Sequence, residues 1–243
     1  MVPAIDIFIR TYFRDFRWLE LSLLSIIKFV EGFRRIIIVM PPSSLERLRG
    51  SEIPASAQAV VLTCQEYSDD YIGQQVTKLS ADLFTDAPLI AHIDSDCIFR
   101  VPCSLPALLT KNGRPIIRIL RRSRRPAGDG WRRCIADFHS EPLPFDPLVS
   151  LPIIYPSSLY RELRTECCDR HGVTLDQWVL SRRIDAMSEF GLMAGQAWFK
   201  RRDDFYWVSA DDEVGWPCFQ YWSRSPKATE MQAELSRVFG RRS

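Results

Sequence analysis

The chain has 243 residues, of which 46% are hydrophobic and 12% aromatic, and its formal net charge is +2. This length and composition suffice for one large α/β domain with a core, and they exclude an intrinsically disordered chain. A net charge so close to zero also excludes a uniformly basic surface that would attract nucleic acid as a whole.

Strand and helix patterns alternate along the first half of the chain. Short apolar, β-branched runs predict strands, and apolar residues at helical spacing predict the helices between them. In chain order, the predicted strands are 4–9, 35–40, 59–63, 89–93 and 115–120, and the predicted helices are 16–30, 45–49, 73–83 and 105–109. This alternation predicts an α/β fold with a mostly parallel central sheet flanked by helices.

The second half of the chain is less regular. Residues 121–150 are rich in Arg, Pro and Gly and predict a long loop. Beyond it, we predict helices at 156–170, at 174–183 with Thr174 as its cap, and at 228–239 after an aromatic stretch at 207–222. Because we find no repeat and no linker, we predict a single domain, 1–243, with halves at 1–103 and 104–243.

The sharpest chemical signal lies at the end of the predicted strand 89–93. The run His92-Ile-Asp-Ser-Asp-Cys-Ile-Phe99 places two carboxylates, Asp94 and Asp96, directly after an apolar strand. Ligands collect at the carboxyl ends of strands in open α/β sheets, and hard oxygen ligands suit Mg²⁺ or Mn²⁺. A surface turn is the plainer interpretation, since Asp-Ser-Asp also suits a turn.

Four spaced segments resemble the GT-A glycosyltransferases, most closely their small bacterial and phage members. The segments are Thr11 to Asp15, Tyr71 to Asp82, His92 to Asp96 and Ser188 to Gly191. The resemblance covers most of the chain and implies the Rossmann-like fold of the nucleotide-diphospho-sugar transferases. It implies a hexosyltransferase-like enzyme that moves a sugar from a nucleotide-diphosphate sugar, above all a UDP-sugar, to an acceptor hydroxyl.

The same resemblance implies a role for each site residue. It implies that the base and ribose are contacted by Thr11, Tyr12, Arg14 and Asp15, and that Lys78 lies near the nucleotide. It implies that Asp94 and Asp96 bind Mn²⁺ or Mg²⁺ and, together with Ser95, face the diphosphate. It also implies that Glu189 is the general base. The half 1–103 would hold the donor, and the half 104–243 would bind the acceptor and supply Glu189.

Plainer alternatives stand beside three of these roles. Asp15 could cap the following helix, Lys78 could form a surface ion pair with Asp82 four residues on, and Glu189 could be an ordinary helix-start residue. As a general base, Glu189 would gain a useful pKa from partial burial, and it would act by direct displacement with inversion.

The chain departs from the family at one point. Many GT-A enzymes have a third metal ligand, a His near the C-terminus, but none of the histidines here lies in the last third. The segment Gln220 to Arg224 falls where that His is expected, and Arg224 could bind a phosphate but not a metal. His92 shares its strand face with Asp94 and Asp96, and we expect it to be a buried core histidine.

Other functions fit parts of the pattern. A haloacid-dehalogenase-like phosphatase would use Asp94 as nucleophile and Asp96 as acid/base, although its motif prefers Thr or Val where Cys97 and Ile98 stand. A nucleotidyltransferase would need a Gly-rich loop after the first strand, and residues 10–18 contain no Gly. A nucleic-acid-binding module would use the Arg118–Arg133 stretch, with Trp131 for stacking.

That Arg-rich stretch also bears on the acceptor. A mobile, solvated loop is the plain interpretation of such a run, and Arg118 to Arg125 are the candidates for acceptor or phosphate contacts. The acceptors that remain open are a glycan, a lipid-linked glycan and a phage DNA base.

The cysteines and apolar runs predict the location. Seven cysteines without a CxxC pair, two of them adjacent, fit neither a disulfide framework nor a zinc site. No apolar run is long enough for a transmembrane segment. We therefore expect a cytoplasmic protein, soluble or peripheral at the inner membrane surface.

Overall fold

The computed structural model describes residues 3–49, 53–121, 129–147, 151–183, 186–210, 216–221 and 228–239. Within them the strands are β1 (Ile5–Arg10), β2 (Val30–Glu31), β3 (Ile36–Met40), β4 (Ala59–Thr63), β5 (Leu89–His92), β6 (Cys97–Phe99), β7 (Cys103–Ser104), β8 (Ile116–Ile119), β9 (Ile153–Pro156), β10 (Tyr206–Ser209) and β11 (Cys218–Gln220). The helices are α1 (Phe16–Phe29), α2 (Pro42–Leu45), α3 (Asp70–Lys78), α4 (Gly130–His139), α5 (Ser157–His171), α6 (Leu175–Leu180), α7 (Glu189–Arg201) and α8 (Ala228–Phe239).

A five-stranded sheet in the order β4-β3-β1-β5-β9 forms the centre of the fold. The first four of these strands pair in parallel, and β9 joins β5 antiparallel. Every residue of β1, β3 and β5 is buried, because these strands are covered on both faces. The predicted mostly parallel α/β sheet flanked by helices is confirmed.

A buried ion cluster holds the amino end of this sheet. Asp6 lies inside β1 with no exposed surface, and it accepts hydrogen bonds from Arg34, Arg35 and Thr85. Burial raises the pKa of Asp6, but the bonds from these partners outweigh it, and the net pKa lies below the ordinary value. The cluster satisfies a carboxylate that would otherwise be costly to bury.

The predicted loop at 121–150 is wrong over its middle part, where α4 forms. Asp129 caps this helix by accepting from the backbone N–H groups of Trp131 and Arg132. Cys134, Ile135 and Phe138 are buried on one face of the helix. Phe138 follows Ile135 by three residues and Cys134 by four, which is helical spacing. The Arg and Gly content of the segment therefore hid a short amphipathic helix.

Other boundaries differ by a few residues. The sequence predicts a short helix at 45–49, but the helix there, α2, begins earlier at Pro42, a residue suited to a helix start, and ends at Leu45. The predicted helix 73–83 begins earlier, at Asp70, and α3 ends at Lys78 before a separate 3-10 turn. Thr174 does cap α6, in a reciprocal capping box with Gln177. No helix of the described residues is long and apolar enough to cross a membrane.

Candidate active site

The carboxyl ends of β1 and β5 are where a sheet of this topology offers a binding site. From β1 the chain continues outward to β3 and β4 on one side, and it then returns to place β5 on the other side. Because β1 and β5 are parallel, their carboxyl ends lie at the same edge of the sheet. Ligands in open α/β sheets bind at such a topological switch point.

The two predicted carboxylates lie at this point. Asp94 and Asp96 occupy the turn between β5 and β6, where the Cys97 N–H donates to the Asp94 carbonyl at 3.0 Å. β5 is an inner strand of the sheet, and the Asp94 side chain is 19% exposed. The first carboxylate is therefore presented at an inner strand end, with part of its surface open to a ligand.

Lys78 joins this carboxylate to a second one from the far part of the chain. Its ammonium Nζ lies 2.6 Å from Asp94 Oδ1 and 2.9 Å from Glu189 Oε1. Burial lowers the pKa of Lys78, but the two carboxylates raise it more, and the net pKa lies above the ordinary value. Lys78 is thus a buried cation shared by two anions.

The proposed surface pair between Lys78 and Asp82 does not form. Because α3 ends at Lys78, Asp82 falls in the next 3-10 turn, where Arg164 binds it through two hydrogen bonds of 2.7 and 2.6 Å. Lys78 instead pairs with Asp94 and Glu189.

Glu189 is the first residue of α7. Ser188 caps the helix by accepting from the Gly191 N–H at 3.1 Å. The helix N-terminus carries partial positive charge, which stabilises a carboxylate there. Gln75, one turn before Lys78 on α3, completes the arrangement. In the amide orientation that satisfies its hydrogen bonds, it donates to Glu189 Oε2 at 3.1 Å and to the Met187 carbonyl at 3.2 Å.

Gln220 approaches the two aspartates from the C-terminal part of the chain. Its amide nitrogen lies 3.1 Å from Asp94 Oδ2 and 3.5 Å from Asp96 Oδ1. Sequence reasoning placed Gln220 in the right region but gave it no role, and it did not single out Gln75 at all. The spacing of Gln75 and Lys78 on one helix face was the available signal.

The charge and donor chemistry of this cluster fit a divalent cation. Within the described residues, the Lys78 ammonium contacts Asp94 and Glu189, and the Gln220 amide links Asp94 to Asp96. The three carboxylates and the ammonium together carry a formal charge of −2. Asp94 and Asp96 offer hard oxygen ligands, which suit Mg²⁺ or Mn²⁺. These two side chains would hold the cation.

The residues predicted to contact the base and ribose follow β1 at the same edge of the sheet. Thr11 is buried, and its Oγ1 has no hydrogen-bond partner among the described residues. Tyr12 is half-buried, and Arg14 is exposed with its guanidinium 5.5 Å from the Phe13 ring centre. Asp15 precedes α1, but its side chain makes no capping hydrogen bond within the described start of that helix. Ser95 is buried between the two aspartates.

His92 is a core residue, as expected. Its Nε2 lies 2.5 Å from the Tyr160 hydroxyl, and both side chains are buried. Burial, and to a lesser degree the Lys78 ammonium, lower the pKa of His92 to about 3. The ring is therefore neutral at physiological pH and packs against Phe8 and Phe190 in the core.

The Arg-rich stretch is only partly described, since residues 122–128 lie outside the described ranges. Arg118 belongs to β8, which matches the predicted strand 115–120. It is buried, and its guanidinium lies 4.4 Å from the Trp216 ring centre. Its burial does not fit a solvated loop, and its contact with an acceptor or a phosphate stays a prediction. Arg132 and Arg133 lie in α4, and the second is exposed.

Comparison with known proteins identifies the fold. No family model and no curated protein matches the chain. Among solved structures, the galactosyltransferase LgtC in complex with donor and acceptor sugar analogues matches with a TM-score of 0.58 at 11% identity. The match covers 96% of this chain and 95% of that chain, and an active-site mutant of LgtC matches equally. LgtC is a GT-A glycosyltransferase, and the chain therefore has the GT-A fold.

Proposed function

We propose that this protein is a glycosyltransferase that moves a sugar from a nucleotide-diphosphate sugar to an acceptor hydroxyl. One observation carries the proposal. At the switch point of a GT-A fold, Asp94 and Asp96 stand at the end of an inner strand, and Lys78 joins Asp94 to Glu189. Such convergence of charged groups at a strand end is typical of a site that handles phosphate and sugar.

The half 1–103 would bind the donor, for which a UDP-sugar is the proposed form. Thr11, Tyr12, Arg14 and Asp15 would contact the base and ribose, because they continue β1 past the sheet edge. Asp94 and Asp96 would orient the diphosphate by way of Mn²⁺ or Mg²⁺, with Ser95 between them. When bound, the cation supplies compensation for the negative charge that develops on the departing diphosphate.

Glu189, from the half 104–243, would act as the general base toward the acceptor hydroxyl. Lys78 and Gln75 each hold one of its two oxygens. A carboxylate has about four acceptor positions, so the hydroxyl of an acceptor can still bind to it. Fixing both oxygens from α3 would orient the base and limit the entropy lost on reaching the reactive geometry. The acceptor would be a glycan, a lipid-linked glycan or a DNA base.

A thermal-shift panel of nucleotide-sugars with and without Mn²⁺ tests this function. A donor that binds only the folded protein must raise its melting temperature by mass action. We expect stabilisation by one nucleotide-sugar in Mn²⁺ and little in EDTA, together with release of the nucleoside diphosphate when acceptor is added.

Asp96→Asn should lower that turnover at least about a hundredfold while leaving the fold intact, since the cation is worth several kcal/mol in the transition state. Asp169→Asn is the matched control, because Asp169 is exposed near the end of α5 and belongs to no part of the proposed site. Turnover retained in Asp96→Asn would refute the metal-assisted mechanism. Trapping of a phosphoaspartate on Asp94 would instead support the phosphatase alternative.

A further inference from the structure

We infer that Gln220 is the third side chain that holds the cation, through its amide oxygen. The inference rests on the proposed function, which requires a cation at Asp94 and Asp96. The end of the Gln220 side chain already lies between these carboxylates, 3.1 Å from one and 3.5 Å from the other. It therefore occupies the place where a ligand common to both carboxylates would bind.

The backbone on both sides of Gln220 is fixed to the carboxylate turn. Gln220 pairs with Cys97 in the antiparallel ladder of β11 and β6, and the next N–H, from Tyr221, donates to the Asp96 carbonyl at 2.9 Å. Nitrogen and oxygen of an amide exchange places by a half-turn about one side-chain bond. Without a cation the nitrogen donates to the carboxylates, and with a cation the oxygen would face it, without movement of the strand.

An amide ligand suits the charge and the donor set of this site. An amide oxygen adds a hard donor without adding negative charge, so the formal charge of −2 remains matched to a divalent cation. Two carboxylates and an amide form an all-oxygen set, which favours Mg²⁺ and Mn²⁺ over softer metals.

Mn²⁺ binding to the chelator-treated protein, followed by the electron paramagnetic resonance signal of free Mn²⁺, tests this role without substrate. Gln220→Leu removes the oxygen at similar size, and we expect the dissociation constant for Mn²⁺ to rise roughly tenfold or more. The fold should tolerate the change because Gln220 is exposed. Gln58→Leu is the matched control, since Gln58 is exposed and precedes β4 at the opposite edge of the sheet.

Gln220→His is the second variant, because it replaces the oxygen donor by nitrogen. We expect its affinity for Co²⁺ relative to Mg²⁺ to rise, measured by calorimetry, since imidazole suits the later transition metals. Equal Mn²⁺ affinity in wild type and Gln220→Leu, or no Mn²⁺ binding by wild type, would overturn the inference. Mn²⁺ binding that weakens in Gln220→Leu, without any turnover of nucleotide-sugars by wild type, would support it and refute the transferase instead.

Discussion

Lys78 shows at the scale of one residue how the site is built. A lysine with 5% of its side chain exposed is costly to bury unless anions compensate its charge. Here Asp94 and Glu189 do so from two sides, and the Lys78 ammonium also lies 5.0 Å from the Phe190 ring centre. Lys78 therefore stabilises two carboxylates that would otherwise repel each other.

Lys78→Met should lower the free energy of unfolding by about 3 kcal/mol in EDTA, because it leaves two carboxylates without their shared counter-ion. Urea denaturation measures this change. Saturating Mn²⁺ should restore part of the loss by binding only the folded state. The control is Lys200→Met, whose side chain is 41% exposed beside Glu166 and should cost no more than about 1 kcal/mol. Equal losses in the two variants would count against a buried counter-ion role.

At the scale of elements, the packing of α4 on α7 sets the position of Glu189. Gly191 and Gly195 lie one turn apart on α7, and side chains of α4 fill the space beside them. A Cβ at Gly195 would clash with His139 Nε2, and one at Gly191 would lie 2.8 Å from Ile135 Cδ1. These two glycines allow the close approach of α4 that holds Glu189, the first residue of α7, beside Lys78.

Gly195→Ala should therefore destabilise the protein. Alanine improves helix propensity by about 1 kcal/mol, but overpacking against a buried ring costs about 1–3 kcal/mol, and the clash should prevail. A double-mutant cycle with His139→Ala, measured by denaturant unfolding, isolates the contact. In the His139→Ala background the same change should become neutral or stabilising. If Gly195→Ala destabilised the His139→Ala protein as much as the wild type, the contact with His139 would not be the reason for glycine at this position.

At the scale of the whole molecule, a buried neutral histidine links the fold to pH. His139 is 5% exposed, and its Nε2 lies 3.3 Å from the Leu192 carbonyl. Burial lowers the pKa of His139 to about 4, although the Leu192 carbonyl raises it and the nearby Arg170 lowers it further. The unfolded chain binds this proton near pH 6.5, well before the folded chain does.

We expect the free energy of unfolding to fall as the pH drops from about 6.5 to about 4. The pKa of His139 is lower in the folded chain than in the unfolded chain. The contribution of His139 to stability is therefore complete above pH 6.5, and about 3 kcal/mol of it is lost on acidification to pH 4. Urea titrations across this range measure the slope. His139→Gln should make this slope shallower without abolishing it, because the buried His92, whose pKa is lowered to about 3, contributes a loss of its own. The two curves should run parallel between pH 7 and 8. An unaltered slope in His139→Gln would show that the ring is not the responsible group.

Elements with a local signal were predictable from the sequence. The runs in β1, β3 and β5 are apolar because both faces of these strands are buried, and the Thr174 cap of α6 depends on neighbouring residues alone. α4 was missed because its helix depends on the Asp129 cap and on burial against α7, which outweigh an Arg- and Gly-rich composition.

The sequence by itself determined that two carboxylates follow an apolar strand, since strand pattern and turn chemistry are properties of adjacent residues. Only the tertiary structure decided what surrounds them. Lys78 meets a carboxylate 111 residues away, and Gln220 meets one 126 residues away. These contacts follow from the strand order of the sheet and from the packing of α7 on α3 and α4. Contacts between residues so distant along the chain produce no periodic pattern in the sequence, so sequence reading cannot detect them.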